Sequence, residues 1–168
     1  MLKASQILDF PVLATTQLKS KLGETCPELG LDSDGGVQTA ASADKSAFSM
    51  WIPEIQTAFS KLYGAVKGQK MDVVIVGIES HICVTQTTLD LLREGHKVYV
   101  LADGVSSCNA QEVPIALARL RADGAVVTTS ESWLYECMGD AGIGEFKQVA
   151  GLVKEFQGRT REGLMALL

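Results

Sequence analysis

Residues 73–84 read Val73-Val74-Ile75-Val76-Gly77-Ile78-Glu79-Ser80-His81-Ile82-Cys83-Val84. The apolar run predicts a buried strand that ends at Gly77, and the residues after it predict a tight turn into a helix. Cys83 would then lie at the N-terminus of that helix, where the helix dipole and nearby N–H groups favour a thiolate. Two interpretations remain: Cys83 is a nucleophile, or it is a small apolar side chain packed beneath the helix.

Short apolar runs and helical patterns alternate along the rest of the chain, which predicts a parallel sheet with helices on both faces. The predicted strands are 11–15, 72–77, 97–102 and 125–128, and the predicted helices are 1–9, 51–66, 82–94, 115–121, 130–137 and 145–156. The residues between 18 and 44 are expected to form one long irregular segment, either a lid or a loose surface loop, and the loose loop is the favoured interpretation. Asp103 is expected to stabilise a turn with Gly104, and Thr128 is expected to cap the helix at 130–137.

Length and composition exclude several classes of protein. A chain of 168 residues holds one full hydrophobic core, so we predict a single domain over residues 1–168. The net charge of −5 without a basic run argues against a nucleic-acid partner, and no apolar stretch is long enough for a membrane span. The four cysteines show neither CxxC pairing nor metal-ligand spacing, which predicts thiols in a reducing intracellular compartment, the cytoplasm.

A series of motifs in chain order carries a family resemblance. They are Pro11-Val12 to Gln17, Leu22-Gly23, Pro27-Glu28, Lys45-Ser46-Ala47-Phe48-Ser49, Gly77 to Cys83, Gln86-Thr87, Leu89-Asp90-Leu91-Leu92, Ala102 to Ser107, Ala116-Leu117-Ala118-Arg119-Leu120, Gly124-Ala125 and Thr128-Thr129-Ser130-Glu131. With them the chain resembles the isochorismatase-like cysteine hydrolases, in particular the isochorismatase domain-containing proteins. The resemblance covers nearly the whole chain and is most specific around Cys83.

The resemblance implies a three-layer, doubly wound, mostly parallel sheet and an Asp–Lys–Cys triad. On that pattern Cys83 is the nucleophile, and Lys45 is the lysine that holds the aspartate and the substrate. The bond Ile78–Glu79 falls where the family has a non-proline cis peptide. The backbone N–H groups of Glu79 and Cys83 would then form an oxyanion hole for a tetrahedral adduct. For Lys45 the competing interpretation is a solvated surface lysine.

The chain departs from the family pattern at the triad aspartate. In the family this aspartate follows the first, central strand, whereas this sequence begins within the first helix, and Asp9 falls at the opposite end of the sheet. Without that strand the predicted sheet has an unpaired seam beside the strand at 72–77. Three explanations are open: an incomplete gene product or splice form, a truncated variant with a rearranged sheet, or a chain completed by a partner's strand.

Other residues near the motifs are assigned with their alternatives. Phe48 and Trp51 are predicted to bind substrate, although aromatic side chains at the start of an amphipathic helix commonly belong to the core. A Cys–His pair with His81 is disfavoured, because positions two apart at a helix start do not face each other. The Glu79 side chain is expected to bond its surrounding loop. Related nicotinamidases bind metal through an Asp-x-His motif where this chain reads Thr15-Thr16-Gln17-Leu18, so no metal site is predicted.

The sequence therefore predicts a cofactor-free cysteine hydrolase that cleaves an amide-type bond in a small polar metabolite through Cys83. The missing aspartate predicts weak or no turnover, because removing one member of a triad abolishes most of the rate. The alternative is a catalytically inactive scaffold or interaction module that keeps the fold. In both cases the family resemblance implies a homo-oligomer.

Overall fold

Parallel strands with flanking helices make up the protein, which confirms the predicted α/β class. The computed structural model describes residues 1–63 and 69–167. The chain divides into two compact units, the N-terminal unit Met1–Gln69 and the C-terminal unit Lys70–Leu168. The prediction of a single domain over residues 1–168 stays a prediction. Among the described residues, no helix is both long and apolar enough to cross a membrane.

The N-terminal unit holds a two-stranded parallel sheet. Its elements are α1 Leu2–Leu8, β1 Leu13–Gln17, α2 Lys19–Leu22, a 3-10 turn Pro27–Leu29, β2 Ala41–Lys45 and α3 Pro53–Tyr63. The strands pair in register from Leu13 opposite Ala41 to Gln17 opposite Lys45. The predicted helix at 51–66 is thus observed over 53–63, and its residues 64–66 lie outside the described part of the chain.

The prediction of a loose loop over 18–44 is wrong at both ends of the segment. It contains α2 and most of β2, which the sequence pattern missed because Ala41-Ser42-Ala43-Asp44 lacks β-branched and aromatic residues. In the middle, the Asp32 carboxylate accepts hydrogen bonds from the backbone N–H of Thr39 at 2.7 Å and from its hydroxyl at 2.8 Å. The segment is therefore an ordered connection whose conformation depends on local hydrogen bonds.

The C-terminal unit holds a three-stranded parallel sheet in the order β3-β4-β5. Its elements are β3 Asp72–Gly77, a π-helical turn Ser80–Val84, α4 Thr85–Arg93, β4 Lys97–Val105, α5 Glu112–Ala122, β5 Val126–Thr128, α6 Ser130–Met138 and α7 Phe146–Met165. The side chains of residues 98–101 in β4 are all buried. Because successive side chains of a strand point to opposite faces, helices cover both faces of this sheet, as predicted.

Several boundaries in the C-terminal unit differ from the predictions. The helix predicted at 115–121 begins at Glu112, so Pro114 lies within its first turn. Thr129, not Thr128, caps α6 by accepting a hydrogen bond from the Ser132 N–H at 3.2 Å. The terminal helix α7 extends to Met165, beyond the predicted end at 156. The largest of these differences is at the end of α7, nine residues beyond the predicted end.

Asp103 does not form the turn predicted for it. Asp103 and Gly104 both belong to β4, and a Cβ atom at Gly104 would lie 2.8 Å from Val76 Cγ1 of β3. Glycine is thus required there by the close approach of two strands. The Asp103 carboxylate instead accepts hydrogen bonds from the N–H of Ser130, at 2.7 Å, and from its hydroxyl. A carboxylate at a helix N-terminus is stabilised by the helix dipole, so this contact joins β4 to α6.

Candidate active site

The segment from Gly77 to Thr85 forms a sharp connection between β3 and α4, at the carboxyl end of the strand. Gly77 has a φ of +121°, a backbone conformation that residues with a Cβ atom rarely adopt. The Ile78–Glu79 peptide bond that follows it is cis. The Glu79 carbonyl oxygen accepts hydrogen bonds from the N–H groups of Ile82 and Val84, both at 3.1 Å. Cys83 lies in this π-helical turn with its side chain half-buried, immediately before α4.

A network of serines ties this connection to the segment that follows β4. Ser80 is fully buried, and both its N–H and its hydroxyl donate to the Ser106 carbonyl oxygen, each at 2.8 Å. The Ser106 N–H donates in return to the Gly77 carbonyl oxygen at 3.2 Å, and Ser107 Oγ accepts a hydrogen bond from the Ser80 N–H at 3.0 Å. The loop that carries Cys83 is therefore held on two sides.

Sequence reasoning did not identify these serines as part of the site. The available signal was their position, because Ser106 and Ser107 follow β4 directly and the carboxyl ends of parallel strands share one edge of the sheet. Ser80 carries a weaker signal, since a serine in a turn is common and nothing in the sequence predicts that it is buried.

The two polar side chains beside Cys83 bond to the same segment. Glu79 Oε2 accepts a hydrogen bond from the Cys108 N–H at 2.6 Å, which is the loop-bonding role expected for this side chain. His81 Nδ1 lies 3.0 Å from Ser107 Oγ. The imidazole thus has a serine partner across the connection.

The four cysteines differ in their surroundings. All four are thiols, and Cys26, Cys108 and Cys137 are exposed whereas Cys83 is half-buried. Desolvation of the sulfur raises the pKa of the Cys137 thiol, and the carboxylates of Glu136 and Asp72 add to this effect. Cys26 is exposed and serves as the reference thiol for measurements of reactivity.

Two buried threonines of α4 give a matched test of the turn. The Thr85 hydroxyl donates to the Ser80 carbonyl oxygen at 2.7 Å, whereas Thr88 Oγ1 is buried and has no hydrogen-bond partner among residues 1–63 and 69–167. We expect Thr85→Val to lower the free energy of unfolding by about 1 kcal/mol, because a buried hydrogen bond is lost. Thr88→Val should leave it unchanged or raise it by up to about 1 kcal/mol.

Urea denaturation of both threonine variants and the wild type measures the difference. Both substitutions replace threonine with valine in the same helix, so their effects on helix propensity cancel in the comparison. A Thr88→Val variant less stable than Thr85→Val would contradict the assignment of the hydrogen bond.

Lys45 lies in the N-terminal unit, at the end of β2, with only 6% of its surface exposed. Its ammonium group donates to Gln17 Oε1 at 2.5 Å and to the carbonyl oxygens of Ala47 and Phe48, both at 3.0 Å. Gln17, at the end of β1, in turn donates from Nε2 to the Ser46 carbonyl oxygen at 2.8 Å. The surface-lysine interpretation is therefore wrong. Gln17, which the sequence analysis did not single out, is thus a side-chain partner of Lys45.

The two aromatic residues after Lys45 have different environments. Phe48 is 52% exposed, which leaves its ring available to a ligand. Trp51 packs edge-to-face against Phe59 of α3, with ring centroids 5.2 Å apart and an interplanar angle of 84°. This contact stabilises the start of α3, so Trp51 has a packing role whatever else it does.

Comparison with known proteins identifies the family. The sequence model of the isochorismatase domain matches residues 1–132. The chain belongs to the isochorismatase family. Within it, the secreted isochorismatase effector Isc1 of Phytophthora sojae is 38% identical over 155 residues, which are 92% of this chain and 71% of that protein. Isochorismatase domain-containing protein 2 of Homo sapiens is also 38% identical over 155 residues, 92% of this chain and 70% of that protein.

The fold of this isochorismatase-family chain is also found in solved structures. The MAR1 ribonuclease of Caenorhabditis elegans superposes with a TM-score of 0.78 at 36% sequence identity, covering 90% of this chain and 73% of that one. The family and the fold class predicted from the sequence are thereby confirmed. Both Cys83 and Lys45 lie within the matched residues 1–132 of the isochorismatase domain.

Proposed function

We propose that the protein is a cysteine hydrolase that cleaves an amide-type bond in a small polar metabolite, with Cys83 as the nucleophile. The observation that carries this proposal is the position of Cys83 between β3 and α4. The thiol lies at the carboxyl end of a parallel strand, just before a helix, in a turn tethered by Ser80 and Ser106. Parallel sheets place their reactive groups at that edge, and a helix N-terminus favours negative charge on sulfur.

The proposed reaction has two steps. The Cys83 thiol releases its proton to solvent, the thiolate attacks the amide carbon, and a C–S bond forms. The C–N bond then breaks as the nitrogen leaves with a proton taken from solvent. Water then attacks the resulting thioester, which releases the carboxylic acid and returns the thiol. The backbone N–H groups of Glu79 and Cys83 are proposed to stabilise the oxyanion of each tetrahedral adduct. We assign no residue of this chain as the proton acceptor.

Residues of the N-terminal unit are proposed to serve the same reaction on the strength of the family pattern. Lys45 is proposed to contribute a positive charge to substrate binding. Phe48, with half of its surface exposed, is proposed to contact the substrate, and Trp51 is proposed to support it. Gln17 orients the Lys45 ammonium group through the 2.5 Å hydrogen bond. We also propose that the protein assembles as a homo-oligomer.

An RNA substrate is a competing possibility, because the similar protein from Caenorhabditis elegans is described as a ribonuclease. Binding of nucleic acid depends on neutralising phosphates with lysine and arginine. This chain has 15 lysine and arginine residues against 20 aspartate and glutamate residues, a net charge of −5. The charge therefore favours a small substrate, and a labelled RNA belongs in the substrate panel as the alternative.

The reactivity of Cys83 tests the proposal before any substrate is known. The protein is treated with EDTA and then with iodoacetamide at pH 7, and the modification rate of each cysteine is read by peptide mass spectrometry. We expect Cys83 to react at least about tenfold faster than Cys26, although Cys83 is the more buried of the two. An activated thiolate explains that order, whereas accessibility alone predicts the reverse.

Unfolding provides the control for this measurement. In concentrated urea the rates of Cys83 and Cys26 should converge, because the turn and the helix dipole are lost. A native Cys83 that reacts more slowly than Cys26 would overturn the nucleophile assignment and support the inactive scaffold.

A further inference from the structure

Three metal-ligating side chains converge in the C-terminal unit beside Cys83. Glu79, His81 and Cys108 each offer one ligand atom, and these three atoms all lie within 4.8 Å of one another. Glu79 and His81 belong to the connection before Cys83, whereas Cys108 belongs to the segment after β4. None of these side chains has a part in the hydrolysis proposed above, so the cluster needs its own explanation.

Hydrogen bonds already hold the three residues in place. The Cys108 N–H donates to Glu79 Oε2 at 2.6 Å, which links two ligand residues that are far apart in the chain. Ser107 Oγ lies 3.0 Å from His81 Nδ1 and also accepts from the Ser80 N–H at 3.0 Å, which fixes the orientation of the imidazole. Metal-binding histidines are commonly oriented by such an outer partner. A carboxylate has several acceptor positions, so Glu79 retains capacity for a metal.

We propose that Glu79, His81 and Cys108 form a binding site for a divalent transition metal, with Zn²⁺ as the preferred ion. A thiolate and an imidazole favour zinc over magnesium or calcium, which prefer oxygen ligands only. Three protein ligands leave a fourth tetrahedral position for water or an anion. On binding, the Cys108 thiol releases its proton to solvent and the sulfur electron pair forms the bond to the metal.

The distances require only a small adjustment. Metal–ligand bonds of about 2.0–2.3 Å place tetrahedral ligand atoms about 3.3–3.8 Å apart. The three ligand atoms all lie within 4.8 Å of one another, so no separation exceeds the bound geometry by more than about 1.5 Å. The Cys108 side chain is exposed, so rotation of its thiol can close this gap without moving the backbone.

The sequence analysis predicted no metal site and did not bring Glu79, His81 and Cys108 together. Two histidines exclude a multi-histidine centre, and the cysteines lack CxxC spacing. The pair Glu79-x-His81 is an ordinary turn sequence, and only the pairing of β3 with β4 brings Cys108 to it. A metal bound by these residues would also link the turn that carries Cys83 to the segment that follows β4.

Cobalt titration of the EDTA-treated full chain tests the proposal, because Co²⁺ bound by a thiolate has a charge-transfer band. We expect saturation at one equivalent and displacement of Co²⁺ by Zn²⁺. Cys108→Ser should remove the band and weaken Zn²⁺ binding, measured by calorimetry, by at least about 100-fold. Cys26→Ser, which replaces another exposed cysteine, should leave both unchanged.

A second measurement on the wild type needs no variant. Zn²⁺ should slow the alkylation of Cys108 by iodoacetamide at least about tenfold and leave the rate of Cys26 unchanged. A thiolate band that persists in Cys108→Ser would overturn the proposal, as would equal alkylation of Cys108 with and without Zn²⁺. Neither result depends on hydrolase activity, so failure of the metal site and failure of the proposed function are distinguishable.

Discussion

Replacing Cys83 with alanine should lower the rate of hydrolysis to the uncatalysed background on the best substrate of an amide panel, even where the turnover of the wild type is weak. The reason is that the proposed mechanism passes through a bond to sulfur, and alanine offers no nucleophile. The measurement is kcat/KM for wild type and variant, with intact-protein mass spectrometry to detect an acyl adduct on the wild type alone. The same panel includes a labelled RNA, which tests the ribonuclease alternative directly.

The Cys83→Ala variant needs a control that separates chemistry from folding. Cys26→Ala removes an exposed thiol elsewhere and should retain full activity. The hydrogen bonds that tether the turn run through Ser80, Ser106 and Ser107, which the substitution leaves in place, so the unfolding midpoint of Cys83→Ala should stay close to that of the wild type. A variant that unfolds normally and still turns over the substrate would refute the role of Cys83 in catalysis.

Replacing Lys45 with methionine should lower the free energy of unfolding by about 2–4 kcal/mol. Methionine has a similar length and no charge, so the substitution removes the hydrogen bonds to Gln17, Ala47 and Phe48 and little packing. The two backbone carbonyl oxygens that lose a donor lie close to the end of β2, where only 6% of the Lys45 surface is exposed. Buried polar groups left without partners are the source of the expected loss.

Urea denaturation of Lys45→Met measures this loss, and Lys21→Met is the matched control. Lys21 lies on α2 and is exposed, so its replacement should change the free energy of unfolding by no more than about 0.5 kcal/mol. A Lys45→Met variant as stable as the wild type would show that the ammonium group has no structural role. Loss of activity in such a variant would then point to a direct role in substrate binding.

The elements that the sequence predicted well are those with a strong local pattern. The strand 72–77 was placed correctly, because a continuous apolar run followed by glycine is unambiguous. The helix predicted from residue 82 is observed as α4 from Thr85, after the π-helical turn Ser80–Val84. The missed strand β2 has a weak local pattern and exists because β1 pairs with it in parallel register. Asp103 was misassigned for the same reason, since its partner Ser130 is 27 residues away.

In the candidate site, too, the sequence identified some residues from motifs, whereas their contacts became known only from the structure. Cys83 and Lys45 were identified from motifs, because the residue types and their order along the chain carry the family resemblance. The sequence did not indicate that Lys45 is buried, nor that Gln17 Oε1 accepts its hydrogen bond. Such a partner can be read only once β1 and β2 are paired, because 28 residues separate the two side chains.

The sequence by itself determined the α/β class, the family and the position of the thiol before a helix, because apolar periodicity and short motifs are local properties of the chain. Only the tertiary structure decided which polar groups meet at the carboxyl ends of the strands. Ser80 with Ser106, and Glu79 with Cys108, are brought together by the pairing of β3 with β4. Contacts between distant segments depend on strand order and register, which no local pattern specifies.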